Sequence, residues 1–219
     1  MEGSMNYVMW LVAIVLLMGG CASKEAAWQR DGALWIRDYK RAVLTGDKAL
    51  AAFAWQKAES IARTSADPAV LGRLEVIRYG ITTALGCPVE IERDVQGVEE
   101  GYQAFLSGDL HKALALGLPK EYEAIARAAL AGEIERVATL LTKMESSHSV
   151  LVAAAVLKKR GIESEAIYRE VIARASHEGY TAALACWLAN AKDWYERLGR
   201  SAEAAQMEQR IKILEGAKK

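Results

Sequence analysis

Proline is scarce in this chain, with 3 in 219 residues, as are phenylalanine, with 2, and cysteine and histidine, with 3 each. So few prolines in an alanine-rich background leave long stretches where nothing interrupts a helix. No segment alternates apolar and polar residues as a half-buried strand does, so an all-α fold is expected. The histidines, His111, His148 and His177, have no His or Cys partner at metal-ligand spacing, and all three read as surface residues. His177-Glu178 is followed by Thr181 where a zinc-binding helix would carry its second His. A glycine-rich phosphate loop and a nucleophile elbow are both missing, so no catalytic, metal-binding or cofactor-binding residue is expected. An excess of one charge is also missing, because 28 Lys and Arg face 28 Asp and Glu. That balance excludes the basic footprint of a nucleic-acid partner.

What the chain does have is an uninterrupted apolar run from Tyr7 to Met18, leading into Gly19, Gly20, Cys21, Ala22, Ser23 and Lys24. A membrane-spanning helix needs roughly 20 apolar residues, so this run is short for a span and fits the core of a secretory signal. The pattern Leu17-Met18-Gly19-Gly20-Cys21 resembles a bacterial lipobox. Met18 stands where that motif usually carries Leu, and no Lys or Arg precedes the apolar run. Initiation at Met5 would remove Glu2. The resemblance implies cleavage before Cys21, a lipid on the Cys21 thiol and a membrane anchor of two or three acyl chains, which hold stably where one does not. Ala22, in place of an inner-membrane retention Asp, is similar to lipoproteins exported to the outer membrane. The alternatives are an uncleaved N-terminal anchor and a buried core helix. Residues 1–20 are thus the expected signal peptide, 21–30 the lipidated N-terminus and a short tether, and 31–219 one helical domain. Past residue 20 the net charge is +1, from 28 bases and 27 acids.

Apolar residues recur at helical spacing along that domain, as in Ile134, Val137, Leu140, Leu141 and Met144, and again in Ala204, Met207, Ile211 and Leu214. Asp67-Pro68 reads as an N-cap with proline at the first helical position, and Pro88 and Pro119 open further helices. About ten helices are expected.

The turns repeat. Gly46-Asp47, Gly108-Asp109, Gly132-Glu133, Gly161-Ile162 and Gly199-Arg200 each separate two helical patterns, and Ala51, Ala113, Val137, Ala166 and Ala204 follow at similar offsets. Glycine can close one helix in the left-handed conformation while Asp caps the next. Trp35, Ala42, Gly46, Asp47, Ala51, Trp55 and Ala58 in residues 32–65, and Leu188, Tyr195, Gly199, Ala204 and Ile211 in residues 185–211, resemble the tetratricopeptide (TPR) repeat. The turn glycines lie 62, 24, 29 and 38 residues apart, so the expected architecture is an irregular α-solenoid of TPR-like helix hairpins. An ordinary bundle with glycine turns is the alternative, and it closes on one core instead of leaving an extended face.

Tyr102, Tyr122, Tyr168, Tyr180, Trp187, Trp194 and Tyr195 are candidates for such a face, although large rings stabilise most when buried. Ala58-Glu59-Ser60 carries the Glu-Ser pair that opens the lytic transglycosylase motif, without that family's downstream segment. Cys87 and Cys186 are read as separate thiols, Cys186 because it sits in an apolar helical stretch. Trp28, Arg30, Trp35, Arg37, Lys40 and Arg41 mix rings and cations just after the anchor, which suits lipid headgroups or an amphipathic first helix with its tryptophans inward. The expectation is a lipid-anchored envelope protein, tethered through Cys21 and facing the periplasm, whose helical domain serves as a scaffold for an unidentified envelope protein. The alternatives are a helical ligand- or glycan-binding lipoprotein and a divergent envelope enzyme.

Overall fold

The computed structural model describes residues 27–88 and 97–216. Cys21, the signal peptide and most of the tether lie outside the described residues. Among the described residues every regular element is a helix, eleven in all: α1 (Ala27–Thr45), α2 (Lys48–Arg63), α3 (Pro68–Thr83), α4 (Glu100–Ser107), α5 (Leu110–Leu116), α6 (Lys120–Leu130), α7 (Ile134–Lys143), α8 (Ser147–Lys159), α9 (Glu165–His177), α10 (Thr181–Arg197) and α11 (Ser201–Gly216).

Local chemistry sets the helix ends. All five expected turn glycines have positive φ. Asp47 accepts from the Leu50 N–H at 2.9 Å and Asp109 from the Lys112 N–H at 3.0 Å. Asp67 caps α3 through the Ala69 N–H, with Pro68 at the first helical position, as its dipeptide predicts. Pro119 opens α6 as expected, standing at its N-cap without a capping side chain. Glu133 likewise gives α7 no side-chain cap, and the residues following Pro88 lie outside the described ones. Ala113, Val137 and Ala204 are buried and Ala51 is half-buried, whereas Ala166 is exposed. The cap of α9 is Ser164, three residues past the turn glycine, and this register turns Ile167 and Tyr168 inward instead.

The core centres on α8, whose residues Val150, Leu151, Val152, Ala153, Ala154, Ala155, Val156 and Leu157 are all buried. A helix apolar on every side must be surrounded, and α3, α4, α6, α7 and α9 all pack on it. Three tight hairpins, α1–α2, α4–α5 and α10–α11, decorate this centre. The helices α1, α3, α8, α9 and α10 also form a closed circuit, because α10 returns to α1. There the Thr181 hydroxyl donates to the Thr45 carbonyl at 2.8 Å.

Cys87 and Cys186 correct the expectation of separate thiols: they form a disulfide, with Cα atoms 5.6 Å apart. The turn after α3 lies flat against α10. Trp187 Nε1 donates to the Ala84 carbonyl at 3.2 Å, and Asn190 Nδ2 donates to the Gly86 carbonyl at 2.9 Å. Gly86 has φ +75°, and a Cβ there would stand 2.6 Å from Trp187 Cε2, so only glycine fits this approach.

Candidate functional site

Three helices near the C-terminus line a half-open groove of about 320 Å³. Tyr168 and Ile172 of α9, Ala191 and Tyr195 of α10 and Met207 of α11 supply its apolar walls. The Gly199 turn folds α11 back along α10, and Met207 shares the groove with Tyr168 and Ile172.

Charge on the rim is unevenly satisfied. Arg200 holds Glu165 at 2.8 Å and Glu203 at 2.6 Å, with its guanidinium 4.8 Å from the centre of the Tyr195 ring. Hydrogen bonds to those two carboxylates raise the Arg200 pKa above its ordinary value. Beneath them the Tyr168 hydroxyl donates to Glu163, whose other oxygen pairs with Arg197 at 2.6 Å. Burial first, and the bond to Glu163 second, push the Tyr168 phenol well above its usual range, so it stays neutral. Arg169 and Arg210, on α9 and α11, form no ion pair among the described residues. The groove therefore places two uncompensated cations beside rings and methyl groups. Such a surface can hold an apolar group that carries negative charge next to it.

The residues singled out from the sequence divide sharply. Tyr168 and Tyr195 line the groove, while Tyr122, Tyr180 and Trp187 are core and Tyr102 and Trp194 are half-buried against it. The Tyr102 and Tyr122 rings stack at 5.6 Å between α4 and α6, and burial raises the pKa of both phenols. His111 and His177 are exposed as expected, but His148 is a correction. Its Nε2 is buried without a hydrogen-bond partner, and burial first, then the charge of Lys40, push its pKa down to about 4. Glu59 pairs with Arg63 at 2.6 Å on the outside of α2, with Ser60 exposed beside it. Near the start of the chain Trp35 is half-buried against Phe53, Arg37 pairs with its neighbour Asp38, and Arg30 and Arg41 are exposed. The Trp28 side chain and Cys21 lie outside what is described. Sequence reading missed Arg169, Arg210 and Ile172. The periodicity of α11 had already placed Met207 on an inward stripe.

No cluster of three or more His, Cys, Asp or Glu is placed to hold a metal among the described residues. None of the described helices is long and apolar enough to cross a membrane. The fold defines an all-α protein. No family model, curated protein or solved structure matches the chain.

Proposed function

We propose that this chain is a bacterial lipoprotein, processed before Cys21 and held to the membrane by lipid on that residue. Residues 31–219 then form a TPR-like helical domain that binds a protein partner in the cell envelope, with the outer membrane, facing the periplasm, as its location. The half-open groove between α9, α10 and α11, with Arg169 and Arg210 unpaired at its rim, carries the binding part of this reading. Its openness along the helices suits an extended segment with acidic and apolar residues better than an enclosed small ligand. The hairpins α1–α2 and α10–α11, each bent at a glycine the repeat pattern singles out, support the TPR-like description. The contact of α10 with α1 makes this a closed, shortened relative of a linear array. The Cys87–Cys186 disulfide supports export, since such bonds persist in oxidising compartments such as the periplasm.

The test is photo-crosslinking in cells from a benzophenone residue at position 172. A discrete heterologous adduct that disappears on Arg169→Glu with Arg210→Glu supports the scaffold. Recovery of uncrosslinked monomer alone, or an adduct indifferent to the charge reversal, overturns it. Metabolic acyl labelling that persists in Cys21→Ala overturns the anchor.

A further inference from the structure

We infer that the outward face of the α1–α2 hairpin rests on the anionic headgroup surface of the membrane. The inference rests on the proposed lipid anchor at Cys21. The buried positions of α2 are Ala54, Ala58 and Ala62, whereas Leu50 and Phe53 on the flank of that stripe are 41% and 48% exposed. Trp55 is half-buried against Tyr39, so the inward side of α2 is already filled, and the hydrophobic gain of covering Leu50 and Phe53 is left unused within the domain. Leu50, Phe53 and Lys57 fall on one stripe of α2, with the Lys57 ammonium 5.4 Å from the Phe53 ring centre. Trp35 meets the same ring edge-on at 5.5 Å, and Leu34 beside it is 50% exposed. Rings, leucines and a lysine reaching past them compose an interfacial surface.

Charge separates this hairpin from the remainder. Residues 27–63 hold seven Lys and Arg against four Asp and Glu, a net +3, while residues 64–219 hold 20 against 22, a net −2. That asymmetry orients the hairpin toward anionic lipid. Covalent reach allows it: Cys21 precedes Ala27 by six residues, and six residues span at most about 20 Å. The other large exposed apolar side chains beyond residue 100 fall on separate elements, Leu116 on α5, Leu198 just after α10 and Ile213 on α11.

The experiment uses the full-length lipidated protein in phosphatidylethanolamine vesicles with or without phosphatidylglycerol, carrying a benzophenone residue at position 53 or, as control, at 213. Flotation reports the anchor and lipid adducts report the docked face. The expected result is flotation in both vesicles. Lipid adducts at 53 should exceed those at 213 by at least about fivefold with phosphatidylglycerol, the factor that one surface cation contributes. Flotation with equal yields at the two positions, or adducts from 53 to a second copy or to residues 21–26, overturns the docked face and leaves the anchor standing. A protein that does not float overturns both.

Discussion

Trp187 and Ala84 lie 103 residues apart in the chain, yet the indole N–H of the first donates to the carbonyl of the second at 3.2 Å. This bond fastens the end of α3 to the middle of α10. Asn190 reinforces it by donating to the Gly86 carbonyl while accepting from Lys158 of α8 at 2.6 Å. The disulfide closes the same seam between Cys87 and Cys186. The seam staples the early helices to the late ones without relying on neighbours in sequence.

Breaking the seam should therefore cost more than a surface change would. Trp187 is buried at 1% exposure, and Trp187→Ala is expected to lose about 3–5 kcal/mol. Cys87→Ser with Cys186→Ser should lose about 2–5 kcal/mol, because the bridge restrains a long loop in the unfolded chain. Urea unfolding with and without reductant checks both. The wild type should lose stability on reduction, and the double serine variant should not respond.

His148 sets an acid limit on the fold. The unfolded chain binds a proton on this ring near its ordinary pKa of 6.5, while the folded chain does so only near 4. Between those values the unfolded state holds more protons, so stability is full above pH 6.5 and falls as the pH drops toward 4. The slope from this one group is at most about 1.4 kcal/mol per pH unit. Urea unfolding at pH 7.0, 5.5 and 4.5 should show this slope, and His148→Gln should flatten it. An unchanged slope in the variant would assign the acid sensitivity elsewhere.

Local chemistry was readable from the sequence and long-range packing was not. Asp67-Pro68 and the five glycine turns fix their conformation within a few residues, so their types announce it. His148 reads as a surface residue. It opens α8 next to Ser147, whose hydroxyl donates to Glu178 at 2.9 Å, and its Nε2 is left buried without a partner. Nothing near Cys186 foretells Cys87, 99 residues away. The groove was hidden for the same reason: Arg169 and Arg210 are ordinary helix-surface cations until the Gly199 turn folds α11 along α10 and both line one groove. The all-α class follows from composition. The closing of α10 onto α1 depends on the Thr181 to Thr45 contact, which no repeat spacing reveals.

Charge reversal at the groove should separate binding from folding. Arg169 and Arg210 are exposed and form no ion pair among the described residues. Arg169→Glu with Arg210→Glu is therefore expected to change stability by less than about 0.5 kcal/mol, as surface substitutions usually do. Thermal unfolding should superimpose on the wild type while crosslinking from position 172 is lost. A variant that unfolds early would show that the two arginines hold the helices rather than a partner.

Arg174 offers the sharpest test of how α7 is ended. Met144 follows α7 in extended conformation, so the last carbonyls of that helix need donors from elsewhere. Arg174 reaches across from α9 to supply them, donating to the Met144 carbonyl at 2.9 Å and to the Thr142 carbonyl at 3.3 Å. Its Nε meanwhile pairs with Glu170 at 2.7 Å, which fixes the guanidinium in place. A cation at a helix C-terminus also gains from the helix dipole. Arg174→Met keeps most of the apolar stem and removes both contributions, so a loss of roughly 1.5–3 kcal/mol is expected. Glu170→Gln keeps the arginine and its carbonyl bonds, so its cost should stay below about 1 kcal/mol. Hydrogen exchange should locate the difference, with protection in α7 falling in Arg174→Met and persisting in Glu170→Gln. Equal losses in the two variants would mean that the ion pair, not the capping of α7, carries the stabilisation.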